Sequence, residues 1–159
     1  MSCGSNEPLP TVDKVDLKRY SGKWFEIARL PQSFEKNCAC VTAEYVLETD
    51  EPVQVINSCF DTLAQKSKVT EGKAFPVDGT QNSELKVQFF WPFKGGYYIM
   101  SLDSDYQYAL VGNPNREYLW ILSRTPQLDQ EIIDNLKSIA VKNGYDLSSL
   151  IMTQQSCEN

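Results

Sequence analysis

The chain contains no histidine. Imidazole is the commonest general base, the usual partner of serine and cysteine nucleophiles and a frequent metal ligand. Its absence removes Ser-His-Asp chemistry, Cys-His chemistry and imidazole metal sites together. An excess of cations is missing too. Fifteen Lys and Arg against 21 Asp and Glu leave a formal charge of −6, a potential that repels phosphate backbones and argues against nucleic acid as a partner. No apolar run is long enough to span a bilayer as a helix, and the first ten residues lack the hydrophobic stretch of a signal peptide. Carboxylate-pair chemistry survives these exclusions. The acidic residues are dispersed among strands and turns, however, with no spacing that brings two together, so they read as solvated surface charge.

Cysteine is not scarce. Cys3, Cys38, Cys40, Cys59 and Cys157 match no zinc signature, because Cys-Ala-Cys at 38 to 40 has no second clustered pair. Four cysteines spread through the chain and a fifth near its start fit an oxidising compartment with two bridges and one sulfur left over. Four cysteines permit three connectivities, and counting does not choose among them.

With 159 residues, 42% apolar and 23% charged, the chain has the composition of one globular domain that needs neither metal nor partner to fold. Residues 1–12 read as a polar, proline-containing tether and 13–159 as the domain. A short helical segment, Lys14 to Tyr20, leads into strand-like runs between residues 22 and 123. One run alternates Val41, Ala43, Tyr45 and Leu47 with Thr42, Glu44 and Glu48; its hairpin partner alternates Val53, Val55, Asn57 and Cys59 with Gln54 and Ser58. The fold class is therefore all-β. About eight strands result, the number at which an antiparallel up-and-down sheet closes into a barrel that holds one small ligand. After Asp129 the period changes. Ile132, Ile133, Leu136, Ile139 and Ala140 predict a C-terminal helix packed outside the barrel, capped by Asp129 at its start and Gly144 at its end.

Three segments then carry a resemblance. Gly22-Lys23-Trp24, following Asp16 to Ser21, looks like the Gly-x-Trp signature of the first lipocalin strand. Leu102 to Val111 and Tyr118 to Arg124 resemble the second and third lipocalin motifs, in order and at suitable distances. The likeness runs from about Val15 to Gln155 and is strongest to bacterial outer-membrane members, through Phe89-Phe90-Trp91-Pro92-Phe93-Lys94-Gly95-Gly96-Tyr97 and Leu119 to Pro126.

The resemblance implies roles for residues. Trp24 would plug the closed end with Arg124 lying across it and Gly22 beside them, a structural set. Trp120 would line the ligand pocket, as would Tyr45 and Asn57, the last needing a partner for its amide. Phe75, Phe89, Tyr98 and Tyr108 are the remaining large rings of candidate inward faces, and Phe34 would cover the mouth. Arg116 or Lys94 are candidates for holding a headgroup. Cys40 and Cys157 stand where an animal branch of the family bridges its second strand to the C-terminal tail, which leaves Cys38 for Cys59. Cys3-Gly4-Ser5 resembles the processed end of a bacterial lipoprotein, making Cys3 a lipidation candidate; a flexible tail with an incidental thiol reads equally well.

The expected function is non-enzymatic. It is binding and transport or storage of a small lipophilic ligand, such as a fatty acid or lysophospholipid, in the barrel, without cofactor or metal. A bilin or carotenoid pigment is the alternative, and an enzyme using a Cys59 thiolate a third reading. The expected setting is the outer membrane facing the periplasm through a lipid anchor, or secretion, as a monomer or homodimer.

Overall fold

Short strands joined by tight turns leave a sheet with two sticky edges unless the last strand returns to the first. Here it does. The computed structural model describes residues 7–32, 35–49, 52–89 and 94–157, with only the backbone at Lys94. Its elements are α1 (Leu17–Tyr20), β1 (Gly22–Arg29), β2 (Cys38–Val46), β3 (Val53–Asp61), β4 (Lys66–Pro76), β5 (Glu84–Gln88), β6 (Lys94–Leu102), β7 (Tyr108–Gly112), β8 (Leu119–Ser123), α2 (Gln130–Lys142) and β9 (Ile151–Met152). Each strand from β1 to β8 pairs antiparallel with the next, and β1 also pairs with β8. The result is a closed eight-stranded barrel, with β9 as an added strand on β1 at Ala28 and Arg29.

Two cores result from the alternation of side chains. Inside the barrel pack Trp24, Tyr45, Val55, Tyr97, Ile99, Ala109, Val111 and Leu122. Outside it, α2 lays Ile133, Leu136 and Ala140 over Ile27, Ala28, Leu110, Leu119 and Ile121. Strands β1, β6, β7 and β8 are thus dry on both faces, whereas β4 is exposed along nearly all of its length.

The helix caps, the tether and the tail differ from the sequence reading. Asp129 occupies the N-cap position but its side chain makes no capping hydrogen bond, and Asn143 is the C-cap, with Gly144 one residue beyond at φ +92°. Residues assigned to the tether belong to the packed body. Leu9 is buried in the outer core and Val12 N–H donates to the Ile99 carbonyl. Strand β9 was not expected at all; Thr153 N–H donating to the Ile27 carbonyl and Cys40 N–H donating to the Gln154 carbonyl continue its pairing into the tail.

Candidate functional site

The site is set by β1, which runs from the closed end of the barrel to its open end. At the closed end Gly22 has φ +101°, a left-handed conformation suited to glycine, and a Cβ there would come within 3.4 Å of Arg124 Nη1. Trp24, fully buried, donates its indole N–H to the Tyr20 carbonyl at 2.8 Å. Arg124 lies over the Trp24 ring at 3.8 Å. Its guanidinium donates to the carbonyls of Tyr106, Lys23, Arg19 and Tyr20. Burial lowers the Arg124 pKa from its ordinary value. The three residues read as structural are therefore brought together, and none of them lines the cup described below.

Above this plug sits a floor of three tyrosines. The hydroxyls of Tyr20 and Tyr97 are 2.6 Å apart and those of Tyr45 and Tyr97 2.8 Å apart. Burial raises all three pKa values, so they are neutral phenols.

Over the floor opens a cup with about 750 Å³ of space between atoms, open solvent at its mouth included. Its wall is mainly apolar. Val41, Ala43 and Tyr45 come from β2, Val55 and Asn57 from β3, Val87 from β5, and Trp120 and Leu122 from β8. Phe89 folds onto the cup because Gly72 faces it across the sheet; a Cβ at Gly72 would sit 2.7 Å from the Phe89 ring. Tyr118 stacks on Trp120 with ring centroids 5.9 Å apart and planes at 20°. The Asn57 amide makes no hydrogen bond with another described residue.

Of the residues expected to line the pocket, Tyr45, Asn57, Phe89 and Trp120 do so. Phe75, Tyr98 and Tyr108 do not. On β4 the buried residue is Ala74, which points Phe75 outward at 39% exposure. On β6 the cup receives Tyr97, so Tyr98 turns to the outer core, and Tyr108 packs there as well because Ala109 faces inward. Arg116 is also outside. It donates to the carbonyls of Asn143, Glu7 and Pro114, on the far side of the wall from any ligand. Phe34, Cys3, the Phe90-to-Phe93 segment and the Lys94 side chain lie outside the described residues.

The mouth holds what sequence reasoning missed. Glu26 and Glu35 both line the cup, contrary to the reading of all carboxylates as dispersed surface charge. Glu26 is 2% exposed; Arg29 Nη1 donates to its carboxylate at 2.8 Å, and the Thr153 hydroxyl donates to it as well. Arg29 also faces Glu35 at 3.7 Å and donates to the carbonyls of Glu35 and Cys38. The Trp120 indole and the Gln32 amide donate to the Glu35 carboxylate. Burial, and then the neighbouring Glu35, raise the Glu26 pKa well above the carboxylate range, outweighing Thr153 and Arg29. The signal was present in the sequence, since Glu26 has the same strand parity as Trp24.

Both sulfur pairs stand at this end. Cys38 is joined to Cys59, with Cα atoms 5.4 Å apart, and Cys40 to Cys157, with Cα atoms 6.2 Å apart. Among the described residues no group of acids and cysteines could hold a metal ion.

This architecture has known counterparts. A lipocalin-like domain model matches residues 15–155. The outer membrane lipoprotein Blc of Vibrio cholerae is 42% identical over 153 residues, covering 96% of this chain and 90% of that protein. Apolipoprotein D of Bos taurus is 34% identical over 154 residues, covering 92% and 80%. The solved structure of insecticyanin from the tobacco hornworm Manduca sexta superposes with a TM-score of 0.75 at 22% identity, covering 93% of this chain and 85% of that one, a likeness of fold. Disulfide-paired cysteines suit an oxidising compartment, periplasmic or secreted. Fold and family together support binding of a small hydrophobic molecule, and the chain belongs to the lipocalin family.

Proposed function

We propose that the cup binds and carries or stores an amphiphile with a lipophilic body, of the fatty acid or lysophospholipid kind. The observation that carries this reading is the mainly apolar cup, with Val41, Ala43, Val55, Val87, Leu122 and the Tyr118–Trp120 stack in its wall, a lining suited to a small apolar ligand. Each methylene buried there contributes about 0.8 kcal/mol. No described lysine or arginine lines the cup, and Arg29 behind it is already engaged by Glu26 and Glu35. A free carboxylate therefore meets no unspent cation among the described residues of this wall, while a hydroxyl or ammonium head meets the Glu35 carboxylate and the Asn57 amide.

Titration with a long-chain lysophospholipid is expected to quench tryptophan emission saturably. Trp120→Ala should weaken binding without unfolding the domain. Saturable quenching unchanged in that variant would refute the assignment of Trp120. The parallel Tyr118 and Trp120 rings give a second reading, a planar pigment, which an absorption band in the visible from protein isolated with its ligand would favour. The bridge between Cys59 and Cys38 speaks against the thiolate-enzyme reading, since a bridged sulfur is no nucleophile. Relatives named outer membrane lipoproteins support acylation at Cys3 and anchoring in the outer membrane; the mass of the N-terminal peptide from native membranes tests this.

A further inference from the structure

The floor of the cup has one hydrogen-bond proton more than it can use. Tyr20, Tyr45 and Tyr97 bring three hydroxyl protons, and their oxygens form two contacts in a line, Tyr20 to Tyr97 to Tyr45. Each contact consumes one proton. No other described group accepts from these hydroxyls, so one O–H is left over whichever way the line runs. All three side chains are deeply buried. If the line runs from Tyr20 through Tyr97, the spare proton belongs to Tyr45. If both neighbours donate to Tyr97, it belongs to Tyr97, and if the line runs from Tyr45 through Tyr97, it belongs to Tyr20. The Tyr45 and Tyr97 rings line the cup, whereas Tyr20 borders only the smaller apolar space beneath the floor. Phenol protons reorient by rotation about the C–O bond, so an acceptor arriving from above draws the spare proton toward itself.

We propose that this trio is a donor site for an acceptor oxygen at the deep end of the ligand, so that the preferred ligand is oxygenated at its buried end as well as polar at the mouth. The proposal rests on the reading of the cup as a lipophilic binding site and deepens it. The two ends of the cup are then complementary in sense. The floor donates, and the mouth, with the Glu26 and Glu35 carboxyls on its wall, accepts. A saturated chain ending in a methyl group still gains from burial but leaves the floor proton unanswered. A chain ending in a ketone, aldehyde or ester carbonyl answers it.

The test uses two probes of equal length, 1-dodecanol and 12-hydroxydodecan-2-one. Taking a carbonyl out of water without a partner weakens binding by roughly tenfold or more. The whole protein is expected to bind the two probes within about threefold of each other, and Tyr45→Phe/Tyr97→Phe, which keeps both rings, to bind the ketone at least about tenfold more weakly than the alcohol. A second readout needs no variant. The carbonyl stretch of the bound ketone should lie below its frequency in hexane, the mark of an accepted hydrogen bond. A ketone that binds the unmodified protein tenfold more weakly than the alcohol, or a bound carbonyl at its hexane frequency, overturns the donor floor while leaving the cup intact. Failure of dodecanol itself to bind overturns the cup and the floor with it.

Discussion

The barrel has an arginine at each end, and the two are used differently. At the closed end, Arg124 spends its guanidinium on four backbone carbonyls and covers Trp24 with its face. The end is complete in itself. At the open end, Arg29 lies between the carboxyl groups of Glu26 and Glu35, and Glu35 Oε2 and Gln32 Oε1 are buried without a hydrogen bond. That end is held by other means, two disulfides and the tail, in which Gln155 donates to the carbonyls of Glu26 and Val41. A seal can satisfy every polar group internally. A mouth that must admit a ligand keeps unsatisfied groups at its wall and relies on covalent ties to stay in shape.

The comparison breaks most visibly at the plug. Trp24→Ala removes a fully buried ring and the platform for Arg124, and is expected to lower stability by about 3–5 kcal/mol, while changing lysophospholipid affinity less than the Trp120→Ala variant does. Denaturant titration beside fluorescence titration checks this; a variant that keeps its stability and loses its ligand would mean that Trp24 belongs to the cup. Next in size is the covalent tie. Non-reducing peptide mapping should find Cys38 with Cys59 and Cys40 with Cys157, and Cys157→Ser should cost about 2–4 kcal/mol. A fragment joining Cys38 to Cys157 would overturn the pairing.

A third effect sharpens the contrast through pH. Glu26 in the folded protein titrates well above the ordinary carboxylate range because it is buried and faces Glu35. In the unfolded chain it titrates near about 4.3. Between those values the folded state holds a proton that the unfolded state has released, so stability falls as pH rises across that window, by at most about 1.4 kcal/mol per pH unit. Glu26→Gln, which stays neutral, should flatten this slope in denaturant titrations over a pH series. A slope that is the same in the variant would mean that another group carries it.

How much of this was legible depended on whether a strand has one dry face or two. Strands β2 and β3 alternate cleanly, because their outer faces meet water, and Tyr45 and Asn57 could be pointed inward from sequence. Strands β6 and β7 are apolar on both faces, since α2 covers them from outside. Alternation then carries no phase, and Tyr98 and Tyr108 were aimed the wrong way. In β4 nearly every residue is exposed, and Phe75, read as an inward ring for its size, gives up the inward position to the small Ala74. Glu26 had the parity of Trp24 but sat in an apolar run, and the register shift between Glu26 and Ala28 puts Ile27 and Ala28 together in the outer core and turns Arg29 back toward Glu26. A bulge of that kind leaves no mark on hydrophobic periodicity. Glu35 arrives from a loop, whose path strand patterns do not encode.

The smallest effect on stability is expected at Asn57, and it distinguishes the two ends most directly. Every side chain of the plug has a partner within the protein; Asn57 has a half-buried amide on the cup wall and no hydrogen bond with a described residue. Replacing it by leucine, which has the same branching and number of side-chain heavy atoms, removes no internal interaction with a described residue, so stability should change by no more than about 0.5 kcal/mol, the range of substitutions that break no contact. If Asn57 answers the ligand's polar head, the same change should weaken lysophospholipid binding by roughly two- to tenfold, the worth of one neutral hydrogen bond, and should leave dodecanol nearly unaffected. Isothermal titration with both ligands on Asn57→Leu measures this. Equal loss for the two would assign Asn57 to the shape of the cup, and a large loss of stability would mean that the residue supports the barrel wall as the plug residues do.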